Sequence, residues 1–100
     1  MSRFILKLYI AGRTPRTENA ISSLKEICDR DLSGLYELAV IDVLERPQLA
    51  ENEKILATPT LVKELPPPLR RVVGDLSDRD RVLVGLDLAI REMGELEGKR

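Results

Sequence analysis

The sequence predicts an α/β protein that opens on a βαβ unit, and three observations carry the prediction. Residues 4–10, FILKLYI, form a strand-length run of β-branched, aromatic and aliphatic side chains, apolar on both faces apart from Lys7. Thr14-Pro15 then supplies a hydroxyl N-cap and a proline at the first helical position. A second strand-like run, YELAVIDV over residues 36–43, follows with Asp42 near its end. Strand, helix and strand in this order make a right-handed crossover, so the two strands should lie side by side and parallel.

Each element has its own signal. The first run suits a central strand covered on both faces, and Ala11-Gly12-Arg13 breaks it. The helix carries Ala20, Ile21, Leu24, Ile27, Cys28 and Leu32 on one stripe and should end near Gly34. Cys28 sits on that stripe and reads as a small core residue. Pro47 opens a short polar segment, Gln48 to Ile55, read as a short helix with Leu49, Ile55 and Leu56 as apolar anchors.

The second half fits two templates. Val82, Val84, Leu86, Leu88 and Ile90 alternate as in a strand, yet Val82, Leu86, Ala89 and Met93 also make a helical stripe. Ser77 and Asp80 resemble a capping box that would start a helix, against the cost of Gly85 inside it. Leu69 to Leu76 is equally divided between a helix opened by Pro68 and an edge strand over Arg70 to Gly74. Before it, Pro59, Pro66, Pro67 and Pro68 crowd a stretch that no strand or helix interior should tolerate. One explanation is a weak local signal; the other is a segment with two packings separated by a few kcal/mol.

Composition narrows the function. One hundred residues, 43% hydrophobic and 33% charged, describe a soluble globular chain forming one domain over 1–100. A net charge of −1 and three aromatic residues argue against nucleic-acid binding. The single cysteine excludes an internal disulfide and suits a reducing cytoplasm, and the lack of histidine removes the commonest general base. The N-terminal apolar run is too short to span a membrane and no secretory leader follows, so a cytoplasmic protein is expected. Nothing points to a metal or cofactor.

Taken as βαβ, a short helix, ATPTLVK, a strand and a final helix, the chain resembles a thioredoxin-type fold. Thr58-Pro59-Thr60 is similar to that family's X-Pro-Thr, which carries a cis proline. Gly12-Arg13-Thr14-Pro15 stands where the family has Cys-x-x-Cys, so no dithiol chemistry is expected. The blocks LKLYIAGRTP, VIDVLERPQLAE, KILATPTLVKELPPPLRRVVGDLSD and VLVGLDL resemble the KaiB family over roughly residues 4 to 93. That resemblance implies two arrangements of one chain. A resting oligomer, a dimer or tetramer of order βαββααβ, is expected in a crystal grown without partner. A monomeric thioredoxin-like form, βαβαββα, binds a KaiC-type ATPase ring, competes there with an output histidine kinase and helps sequester KaiA.

Site residues follow from the same resemblance. Lys54 and Arg71, accompanied by Arg70, match basic positions that contribute to partner recognition. Gly85 and Asp87 match positions where substitution favours the switched form. Helix propensity at Gly85 and dipole repulsion at Asp87 offer an independent rationale. Pro59, Pro66, Pro67 and Pro68 would pin alternative backbone paths, and X-Pro isomerisation, which takes about tens to hundreds of seconds, would slow the switch. Tyr9 is read as packing or a subunit contact. Ala39 and Asn19 replace basic residues of the family, and Glu97-Gly98-Lys99-Arg100 lacks the acidic tail of several clock members. These departures weaken the implied KaiA contact and fit equally a reduced timer or a stress-linked KaiC system. The competing expectations are a partner module for a histidine kinase and a degenerate oxidoreductase using Cys28 alone.

Overall fold

A computed structural model describes residues 3–86. Along the chain run β1 (Phe4–Ile10), α1 (Pro15–Asp31), β2 (Tyr36–Asp42), α2 (Pro47–Asn52), β3 (Thr60–Leu65), β4 (Arg70–Val73) and α3 (Arg79–Gly85). The strands form one sheet of order β2-β1-β3-β4. β1 and β2 pair in parallel, as the crossover requires, while β1–β3 and β3–β4 are antiparallel. Of the two arrangements that the resemblance implies, this is the thioredoxin-like order, not the resting order expected in a crystal grown without partner.

Local chemistry explains the first half. Thr14 caps α1 by accepting from the Thr17 amide at 3.2 Å, while the Thr17 hydroxyl accepts from the Thr14 amide at 2.7 Å. The reciprocal box thus uses threonine in place of the usual Glu or Gln. Ile21, Leu24, Ile27 and Cys28 are the buried stripe of α1, and the helix turns off through Ser33 and Gly34, both at positive φ. Glycine meets that left-handed geometry without strain. Asp42, the last residue of β2, accepts from the amides of Gly12 at 3.0 Å and Leu44 at 2.9 Å, fixing the loops that leave β1 and β2.

Tertiary pairing resolves the second half. Residues 70–73 form an edge strand because their backbone completes the ladder of β3, with Val62 opposite Arg71 and Leu61 opposite Val72. Val72 faces the core at 5% exposure, whereas Leu69, which a helix would have buried, is 53% exposed. For residues 79–85 the helix wins: Val82, Leu83 and Leu86 are buried and Val84 is half exposed, a helical spacing that strand alternation cannot produce. Its N-cap is Asp78, accepting from the Arg81 amide, one residue later than the Ser77 box suggests. The prolines lie just outside the strands. The Thr58–Pro59, Leu65–Pro66 and Pro67–Pro68 bonds are cis, the first where the resemblance places one.

α1 and α3 cover one face of the sheet, where Leu6, Leu8 and Ile10 of β1 meet Leu24, Leu61, Leu76 and Val82 in the core. A paired carboxylate joins the two helices: Arg79 donates to both oxygens of Asp31, at 3.0 Å and 2.6 Å. On the opposite face Tyr9 and Val62 are buried, and Lys7 pairs with Glu64 at 2.9 Å. No helix among the described residues is long and apolar enough to cross a membrane.

Candidate partner-docking site

Two corners of this fold gather the residues of interest, and they differ in chemistry. The first lies at the start of α1, where Ala11, Thr14, Arg16, Thr58, Pro59 and Asp75 line a groove of roughly 400 Å³. In a thioredoxin-type fold this is the dithiol corner, but here it holds no thiol. Cys28, the one cysteine, is 1% exposed on the inner side of α1. Burial, with the charges of Asp29 and Asp31 adding, pushes its thiol up to about 12, so it has little thiolate to offer as a nucleophile.

The second corner lies on the opposite face and gathers two of the three basic residues singled out above. Strand alternation puts Arg71 on the face of Val62 and Lys7, and its guanidinium reaches the turn that follows α2. There Nη1 donates to the Lys54 carbonyl at 3.3 Å and Nη2 makes a short bond to the Glu53 carbonyl. Lys54 itself is exposed and has φ of 55°, a left-handed conformation that a non-glycine residue adopts at a cost. Arg70 does not join them. It is the next residue along β4, so it projects from the other face, opposite Lys63 in the register.

Large apolar side chains are exposed on the same elements, α2, the segment after it and β4. Leu56 is 96% exposed, Leu49 38% and Val73 47%, so Leu56 and Leu49 are not the anchors their spacing suggests; α2 has no buried residue. Beneath it, Tyr9 is packed at 1% exposure. Burial raises its phenol, with Lys7 and Arg71 opposing and Glu53 and Glu64 adding to the shift. Sequence reasoning missed the part played by the Glu53 and Lys54 carbonyls. Backbone acceptors carry no residue signature, and only the distance from Arg71 in space reveals them.

The remaining sequence-derived residues are dispersed. Pro59 borders the groove at the start of α1, and Pro66, Pro67 and Pro68 form the β3–β4 connection. Gly85 lies against β4, where an added Cβ would stand 2.5 Å from Val72 Cγ2. Helix propensity alone therefore misses an opposing contact at this position. Asp87 lies outside the described residues. Among those residues no group of His, Cys, Asp and Glu is placed to hold a metal ion.

A four-stranded sheet with a cis proline before β3, and no thiol at the corner it shares with α1, defines a thioredoxin-like domain without the dithiol. The KaiB domain model matches residues 7–88, and the chain belongs to the KaiB family. It is 61% identical over 94 residues to the circadian clock oscillator protein KaiB of Prochlorococcus marinus subsp. pastoris (strain CCMP1986), covering 94% of this chain and 88% of that protein. The KaiB of Trichodesmium erythraeum (strain IMS101) is 58% identical over 94 residues, covering 94% and 90% respectively. Among solved structures, the N-terminal domain of Synechococcus elongatus SasA superposes with a TM-score of 0.74 at 26% identity, over 91% of this chain and 87% of that one. Mitochondrial thioredoxin 3 of Saccharomyces cerevisiae gives 0.66 at 16% identity, over 87% and 79%, a likeness of fold alone.

Proposed function

We propose that this chain is a non-enzymatic regulatory protein of a clock or timer, and that it docks on a KaiC-type ATPase ring in the thioredoxin-like arrangement. Kinship with proteins named circadian clock oscillator protein KaiB carries the reading. The basic corner at Lys54 and Arg71, with Leu49, Leu56 and Val73 exposed on the same elements, supports it as a contact surface. Exposed apolar area supplies the drive for association, and the basic charge supplies orientation and on-rate toward an acidic partner surface. Arg70 contributes from the opposite face of β4 if the ring or a neighbouring copy wraps the sheet edge.

The docking form stands in equilibrium with a resting homo-oligomer in which the second half is rearranged. The double periodicity of residues 69–90 supports this part of the reading, with Pro59, Pro66, Pro67, Pro68, Gly85 and Asp87 in or beside the segment that changes. A histidine-kinase pathway and KaiA are the further partners in view, the first by competition for the ring.

The test is a time course of binding to the purified KaiC-type ATPase of the same organism, with ATP, from minutes to a day. Slow formation of a stable complex, weakened by Lys54→Ala, is expected. Absence of binding in every nucleotide and phosphorylation state, with the protein folded, would overturn the reading in favour of a kinase-pathway module.

A further inference from the structure

The basic corner contains two cations that do different things. α2 is only Pro47–Asn52, and like any helix it leaves its last carbonyls without intrahelical partners. The chain leaves it by a tight turn in which the Lys54 amide donates to Glu51 at 3.1 Å and the Ile55 amide reaches back to Ala50 at 2.9 Å. That turn requires the positive φ of Lys54. Glycine or asparagine usually fills such a position, because a side chain at Cβ is strained there. Something else must hold lysine in it.

Arg71 supplies that hold. Its fork spans two successive carbonyls, those of Glu53 and Lys54, from a strand 17 residues further on. A cation at a helix C-terminus also opposes the negative end of the helix dipole. Two of the guanidinium's N–H groups are thereby engaged by backbone, which fixes its position although Arg71 is exposed, while the exposed Lys54 side chain makes no such bond to the turn. We propose that Arg71 is a positioning residue for docking: it clamps the turn after α2 and aims Lys54 at a carboxylate-bearing surface of the partner. The proposal rests on the docking function argued above. It also makes Lys54 presentation depend on the β3–β4 pairing that brings Arg71 to this place, so the charge is correctly aimed only in this arrangement.

Lysine cannot replace arginine in such a clamp, since an ammonium is a point donor and a guanidinium a planar fork. Arg71→Lys therefore separates charge from geometry. In the free protein, hydrogen exchange at the Lys54 and Ile55 amides should accelerate roughly tenfold in both Arg71→Lys and Arg71→Ala, as expected for the loss of a charge-assisted bond, with Leu8 and Leu61 unchanged. Unchanged exchange at Lys54 and Ile55 would overturn the clamp. In binding to the KaiC-type ring, Arg71→Lys should lose about as much affinity as Arg71→Ala, roughly tenfold. In a Lys54→Ala background either substitution should add less than about twofold, because the side chain being aimed is gone. Full binding by Arg71→Lys, or losses that add independently of Lys54, would overturn the positioning role in favour of direct contact. A wild-type chain that fails to bind the ring overturns the docking function and with it the role of Arg71 in docking. That failure is told apart by exchange at Lys54 that still responds to Arg71.

Discussion

Alanine at Gly85 should behave differently depending on what stands at position 72. Gly85 is the last residue of α3, where replacing glycine by alanine gains at most the roughly 1 kcal/mol it would in a helix interior. In the wild-type protein the new Cβ would lie 2.5 Å from Val72 Cγ2, well inside van der Waals contact. Val72 is β-branched and 5% exposed on β4, so its methyl cannot move without disturbing the core. Forcing extra volume into such a site costs about 1–3 kcal/mol, which offsets the propensity gain. Truncating Val72 to alanine removes both methyls, and the nearest remaining Val72 atom is then its Cβ at 3.6 Å, an ordinary contact. Val72→Ala alone should cost roughly 2 kcal/mol in lost burial and cavity. Gly85→Ala in that background should recover the propensity term and fill part of the cavity. The expected coupling is at least ~1 kcal/mol in favour of the double variant. Urea unfolding of the wild type, both single variants and the double variant measures it directly. Additivity within about 0.5 kcal/mol would show that the two positions do not meet, and would refute the packing of α3 on β4 described here.

Three further outcomes are expected. Thr14→Ala should destabilise the protein by about 1 kcal/mol in urea unfolding, because it removes one half of the reciprocal cap on α1; no change would mean that Pro15 alone starts the helix. Asp31→Asn should cost about 0.5–1 kcal/mol and quicken exchange at Val82 and Leu83, since Asp31 is the more buried partner of Arg79 (side-chain exposures 16% and 44%). An equal effect from Asp80→Asn, whose side chain is 88% exposed, would contradict a specific α1–α3 link. Stability should also fall in alkali. The Cys28 thiol is raised from 9.0 to about 12 by burial, so the unfolded chain loses its proton first. The protection is complete below pH 9 and is lost as pH rises toward 12, with Tyr36, also raised to about 12, acting in the same sense above pH 10. The urea midpoint of wild type should therefore drop more steeply than that of Cys28→Ala over this range; parallel curves would place the thiol in water.

Much of the first half was legible because its signals are local and agree. Thr14-Pro15 marks a helix start, the stripe from Ile21 to Leu32 marks its inner face, and the crossover rule sets β2 beside β1. Consistency of this kind is what makes a segment readable from pattern alone. The second half was not legible in the same way. Leu69 to Val73 has too few residues for either period to dominate, and its strand state comes from backbone hydrogen bonds to β3, a partner the segment itself does not encode. Residues 82–86 needed the burial of Leu83 and the exposure of Val84 to distinguish helix from strand.

The candidate site divides along the same line. Family resemblance singled out Lys54 and Arg71 as basic positions, but it treated them as equivalent and grouped Arg70 with them. Residue types and their order along the chain determined the βαβ start, the placement of Cys28 in the core and the absence of a dithiol at the corner before α1. The tertiary structure decided that Arg70 and Arg71 face opposite sides, that Gly85 abuts Val72, and that Arg71 is engaged by the carbonyls of Glu53 and Lys54. The physical reason is that a strand alternates its side chains only once the strand exists, and a backbone carbonyl becomes a site only when folding brings a donor from elsewhere in the chain within hydrogen-bond reach.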